Sequence, residues 1–156
     1  MKDIRRKDRE IKDSDIISKL LTEEPVCRLA LSDNNDPYIV PMNFAFHEGR
    51  IYLHSAPEGR KLDILKKNNR VCLEIDTNDG VIPGRKPCSF GFAYSSVILF
   101  GKASIINDLN EKRSALRLLA DKYIGGLYSF TEVDMEGVEV IRVEVEKTTG
   151  KSSRRN

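Results

Sequence analysis

The chain has 156 residues, 40% of them hydrophobic and 32% charged, and 26 Lys and Arg against 24 Asp and Glu give a formal net charge of +2. This excludes disordered and fibrous classes and suits one globular domain over 1–156, large enough for a real core. No apolar run approaches the roughly 18 residues of a membrane span, so no membrane partner is expected.

The period of the apolar residues predicts a first helix over 14–22, capped by Asp13 or Ser14, with Ile16, Ile17, Leu20 and Leu21 on one face. Glu24-Pro25 stops it, because a residue before proline is pushed out of the helical region. The period then changes to two. Residues 26–31 read as a strand, 33–37 as a turn, 38–46 as a second strand and 50–55 as a third. Pro41 inside the second strand marks an edge, a bulge or a place where a ligand lies against the backbone.

A helix is predicted over 60–68 with Leu62 and Leu65 inward, then a strand over 70–77 and a loop over 78–87. A long strand region, 89–106, is expected to bend near Ser95-Ser96. Asp108 with Glu111 opens a third helix over 109–124, ended by Gly125-Gly126. A last strand follows over 138–145. Six short antiparallel strands with peripheral helices predict a mainly β protein, a small barrel with added helices.

The slight positive charge is confined to the ends. Residues 1–14 hold six basic and four acidic side chains and residues 147–156 four basic and none acidic, leaving the interior 16 basic against 20 acidic. A nucleic-acid binder places its positive charge on a folded face, so no nucleic-acid partner is expected. Residues 1–13 and 147–156 read instead as solvated, flexible tails. The first residues lack an apolar stretch and are not expected to form a secretory signal. Cys27, Cys72 and Cys88 form no metal-like spacing with one another or with His47 and His54. Free thiols, no metal site and a reducing cytoplasmic setting are expected.

Chemistry concentrates where a strand ends in His54-Ser55, a loop carries Gly59, and Arg60-Lys61 opens a helix. Open N–H groups and the positive end of a helix favour an anion, Arg grips two oxygens of a phosphate, and Lys adds a mobile charge. Bonds to charged groups contribute about 1.5–3 kcal/mol each. Three or four supply about half or more of the roughly 8 kcal/mol behind micromolar binding. The solvated face of an ordinary helix carries the same pair, and both readings stay open at this level. No nucleophile elbow, Rossmann glycine pattern or P-loop is present, so any chemistry must come from a bound organic cofactor.

Four ordered stretches carry a resemblance: Cys27-Arg28-Leu29-Ala30-Leu31; Pro37 through Phe44; Ile51-Tyr52-Leu53-His54-Ser55-Ala56 with Gly59-Arg60-Lys61; and Ser95-Ser96-Val97 through Gly101-Lys102-Ala103. The chain resembles the pyridoxamine-phosphate-oxidase-like flavoproteins, and more narrowly their nitroimidazole-resistance branch. That resemblance implies a six-stranded FMN-binding split barrel and a homodimer with FMN at the subunit interface. Arg60 and Lys61 match the pair holding the FMN phosphate, and His54 and Ser55 the polar pair beside the ribityl-phosphate. Val40, Pro41 and Asn43 match the strand along the flavin ring, and Ser95 and Ser96 a polar pair reaching the cofactor from the long strand.

The implied activity is an oxidoreductase that passes electrons to a small nitroaromatic or quinone-like acceptor, with His54 either catalytic or anchoring the phosphate loop. The alternatives are a non-catalytic FMN-binding, storage or redox-sensing protein and a haem-binding split-barrel relative. The chain has no Trp and ends without the basic, aromatic-bearing motif of true pyridoxamine-phosphate oxidases, so vitamin B6 oxidation is not expected.

Overall fold

The computed structural model describes residues 4–86, 89–126 and 128–153; Cys88 lies outside them, while Cys27 and Cys72 are free thiols. After a 3-10 turn at Lys7–Arg9, helix α1 (Ser14–Glu23) leads into β1 (Cys27–Asp33), β2 (Asp36–Met42), β3 (Phe44–His47) and β4 (Arg50–Ser55). Then come α2 (Arg60–Lys67), β5 (Arg70–Asp76), β6 (Val81–Ile82), β7 (Gly91–Phe92) and β8 (Ser95–Ile105). Helices α3 (Leu109–Tyr123) and α4 (Glu132–Met135) precede β9 (Glu139–Ser152).

Local chemistry sets the helix ends. The Asp13 carboxylate accepts the N–H of Asp15 at 2.8 Å to start α1, and Glu24 is extended (ψ 132°) ahead of Pro25. Asp108 accepts the N–H of Glu111 at 2.8 Å to start α3. Leu20 and Leu21 of α1 are buried, whereas Ile16, expected on the same face, is 43% exposed.

Seven strands form one antiparallel sheet in the order β2-β1-β5-β8-β9-β4-β3. Its two edge strands, β2 and β3, are consecutive in the chain and separated only by Asn43. One residue cannot bridge a flat seven-stranded sheet, so the sheet curls into a split barrel. Taking the run 36–47 as one bent strand recovers the six strands expected.

Three expectations are corrected and one helix is added. The region 89–106 is two strands: β7 pairs with β6, out of the supposed loop, as a separate two-stranded ribbon. Helix α4 was not anticipated, although Thr131 and Asp134 close a reciprocal capping box at its start. The last strand runs to Ser152, so residues 147–152 are no free tail; they pair with residues 95–100 of β8. An eleven-residue β8 needs a partner along its length, and the charged residues there sit on the outer face while the backbone pairs. The N-terminal segment is also tied down: Ile11 is buried and its N–H donates to the Gly150 carbonyl at 3.0 Å.

The barrel interior holds Leu29, Ile51, Leu53, Leu73, Ile75, Leu99 and Ile141, all fully buried. A second apolar cluster lies outside the barrel wall, where Ala45, Tyr52 and Val140 meet Ala115, Leu116 and Leu119 of α3 and Met135 of α4. Among the described residues no helix is long and apolar enough to cross a membrane.

Candidate functional site

Both faces of β4 are covered over residues 51–53. Ile51 and Leu53 point into the barrel and Tyr52 outward to α3, so the alternation of a strand puts His54 on the outer face. On the neighbouring run Phe44 points in and Ala45 out, which places Asn43 on that outer face too. Helix α3 covers only part of it. Between α3, α4 and the β3–β4 rim an open recess of about 440 Å³ remains, with Asn43 and His54 on its rim and Leu116, Leu119, Tyr123 and Phe130 in its walls.

The rim is held from behind. The Tyr123 hydroxyl accepts the Phe44 N–H at 2.9 Å and lies 2.7 Å from the Pro25 carbonyl, which also accepts from Asn43 Nδ2 at 3.4 Å. Lys122 turns the other way: its Nζ is 3.4 Å from the Phe44 ring centroid and 3.3 Å from the Leu21 carbonyl. Burial there brings its pKa down to about 8. Desolvation pushes the buried Cys27 thiol up to about 12, so it is no nucleophile.

The chain leaves β4 at Ser55, buried on the inner face, whose Oγ donates to the Ala56 carbonyl at 2.8 Å. Gly59 turns with φ 125°, a conformation side chains resist, and an added Cβ there would meet nothing within 4 Å. Among the described residues no side chain caps α2. The Gly59 carbonyl accepts the Leu62 and Asp63 N–H groups, so those of Arg60 and Lys61 are the open donors of this turn. The Arg60 guanidinium donates to Asp36 at 2.8 Å and lies 4.9 Å from the Tyr38 ring centroid. Lys61 is half-buried and makes no ion pair among the described residues. An anion at this corner meets two cations, open backbone donors and room beside Gly59, with Asp36 as competitor for Arg60.

The other sequence-derived residues are dispersed. Val40 packs inward against the barrel core, while Pro41 is exposed on the opposite face of β2. Ser95 is buried; its N–H donates to Thr77 Oγ1 at 2.9 Å and its Oγ to Ser152 Oγ at 3.2 Å. It lines a different recess, with Thr77 and the N-terminal segment, and the half-buried Ser96 pairs with Asp76 and Lys151. Within one chain His54 and Asn43 therefore share a recess, Arg60 and Lys61 lie one loop beyond His54, and the serine pair lies in neither place. Sequence reasoning missed Tyr123, Phe130 and Asp134 as recess residues; the Thr131-x-x-Asp134 spacing was the available sign of a helix there. Among the described residues no group of three His, Cys, Asp or Glu side chains is placed to hold a metal ion.

Comparison with known proteins agrees with the fold. The family model for pyridoxamine 5'-phosphate oxidase matches residues 13–152. An uncharacterized protein of Rhizobium meliloti is 40% identical over 50 residues, a match spanning about a third (32%) of each chain. A candidate 5-nitroimidazole antibiotic resistance protein from Bacteroides thetaiotaomicron has a TM-score of 0.82 at 32% identity, over 91% of this chain and 85% of its own. A flavocytochrome from Azotobacter vinelandii has a TM-score of 0.86 at 24% identity, over 98% and 73%. A FAD- and haem-binding protein from Mycobacterium smegmatis also reaches 0.86, at 22% identity, over 94% and 74%. The last two show likeness of fold.

Proposed function

The chain belongs to the pyridoxamine 5'-phosphate oxidase family, and from that premise we propose that it is a flavin-binding oxidoreductase that uses FMN and reduces a small nitroaromatic or quinone-like acceptor. The observation that carries the proposal is the uncapped start of α2, where Arg60, Lys61 and two open N–H groups surround the space beside Gly59. These residues fit a phosphate: Arg60 and Lys61 supply charge-assisted bonds and the helix start supplies backbone donors. His54 and Asn43 give a polar rim to an apolar recess one loop away, which suits a small flat acceptor held beside the flavin rather than the flavin itself.

The flavin supplies the electron-transfer chemistry when bound. The chain's own part is to bind, orient and exclude water. Val40 and Pro41 offer extended backbone, Ser55 fixes the loop leading to α2, and His54 stands exposed at the rim as the residue able to hold or pass a proton. Ser95 and Ser96 lie apart from both places within one chain, and a homodimer with FMN between the protomers would let them meet the flavin from the second subunit. The exposed Ile39, Phe90 and Phe92 are apolar surface that such an interface would cover.

Titration with FMN, followed by absorbance in the flavin bands, is expected to saturate. Anaerobic reduction by NADH or NADPH and reoxidation by a nitroimidazole are then expected. Absence of any FMN complex overturns the proposal, and binding without turnover with any acceptor reduces it to a flavin-binding protein.

A further inference from the structure

We propose that the recess between α3 and α4 binds a flat aromatic ligand carrying no negative charge, and that Asp134 sets this charge preference. The ligand's role as electron acceptor rests on the flavin reading above; its binding does not.

The recess is built for a ring. Leu116, Leu119 and Ala120 of α3 form one wall, and Tyr123 and Phe130 supply aromatic surface. Its volume of about 440 Å³ lies within the range of small-molecule sites. Polar groups enter only at the rim, from Asn43, His54 and Asp134. The Asp134 carboxylate is fixed by two bonds to one oxygen, from the Thr131 N–H at 2.8 Å and the Thr131 hydroxyl at 2.7 Å. These bonds hold it below the usual carboxylate range and so ionised at neutral pH.

Among the described residues no Lys or Arg side chain lines the recess. Lys122, the neighbour of Tyr123 in sequence, lies against the Leu21 carbonyl and the Phe44 ring, 5.7 Å from the Tyr123 ring centroid, and burial disfavours its charge. An anionic ligand would shed water onto apolar walls and face the Asp134 carboxylate with no Lys or Arg in the lining to offset it. A neutral ring meets no such penalty, and a cationic one gains from Asp134 and from the face of Phe130. The recess thus discriminates against the phosphorylated and carboxylated aromatics that the basic corner at α2 attracts. The two sites divide their ligands by charge.

The test is equilibrium dialysis of the purified protein, flavin-free and after FMN addition, with three ligands on one ring: 4-nitrobenzyl alcohol, 4-nitrobenzylamine and 4-nitrobenzoate. The alcohol and the amine are expected to bind at least tenfold more tightly than the benzoate. Asp134→Asn, which keeps an oxygen for Thr131, is expected to narrow that gap to less than threefold. Ala120→Phe fills the recess and is expected to weaken the alcohol and amine at least tenfold while FMN affinity is unchanged. Equal binding of all three by the unaltered protein, or full retention of binding in Ala120→Phe, overturns the inference even if Asp134→Asn fails to fold. If FMN does not bind but the ligands are discriminated, the flavin reading fails and the recess stands; if FMN binds and charge makes no difference, the reverse holds.

Discussion

The Tyr123 hydroxyl accepts the backbone N–H of Phe44 at 2.9 Å, joining the last turn of α3 to the residue after the break between the sheet's two edge strands. Phe44 is completely buried, so its N–H has no water to turn to. Tyr123→Phe is expected to destabilise the fold by about 1–3 kcal/mol, the cost of an unsatisfied buried donor. Urea unfolding checks this: the midpoint falls while the slope stays constant. A midpoint equal to wild type would mean that the hydroxyl does not hold the strand break.

The basic corner is tested by changing Arg60 and Lys61 together to Ala. Two bonds to charged groups are worth about 3–6 kcal/mol. At about 1.4 kcal/mol per tenfold, FMN affinity is expected to fall by about 100-fold or more. Riboflavin, which lacks the phosphate, is expected to change less than about threefold on the same reasoning. Asp36→Ala releases Arg60 and is expected to tighten FMN several-fold. Equal losses for FMN and riboflavin would place the phosphate elsewhere.

Gly101 lies at the bulge where β8 shifts register against β9. A Cβ there would sit 2.1 Å from the Glu144 carbonyl oxygen, a backbone atom that cannot swing away. Gly101→Ala is expected to cost about 3 kcal/mol or more, as overpacking against backbone does. Thermal melting is the measurement, and a melting temperature within a degree or so of wild type would contradict the β8–β9 geometry.

A half-buried lysine and a buried thiol give stability an alkaline profile with a definite sign. Burial holds Lys122 at about 8 against an ordinary 10.5, so between those values the unfolded chain binds more protons and stability rises with pH. Cys27 opposes it: raised to about 12 from 9.0, its native form keeps a proton that the unfolded chain loses, and stability falls above pH 9. The rise is therefore confined to roughly pH 8–9. Urea midpoints from pH 7 to 10.5 are expected to show it in wild type and lose it in Lys122→Met, leaving only the fall. A rise that survives in Lys122→Met would assign the effect to another group.

Much of the fold was legible because its signals are local. Asp13, Asp108, the proline after Glu24 and the Gly125-Gly126 pair act within one turn, and the three main helices fall within a residue of expectation at each end. The β6–β7 ribbon and the extension of β9 to Ser152 were not legible, because each depends on a partner more than eight residues away. Of the site, the corner at Arg60-Lys61 could be read from adjacent residues, while the recess could not. Asn43, His54, Tyr123 and Asp134 are scattered over ninety residues and meet only when α3 folds back across the β3–β4 pair.

By itself the sequence determined which residues alternate along each strand, where each helix begins and stops, and that a basic pair follows a strand ending in His-Ser. Tertiary structure decided which of the two faces of β4 stays open at His54, that Lys122 is half-buried with its charge disfavoured, and that Asp36 sits opposite Arg60. The reason is physical. Alternation and capping act through neighbours along the chain, but burial and electrostatic environment depend on which distant surfaces the barrel, once curled shut at Asn43, brings into contact.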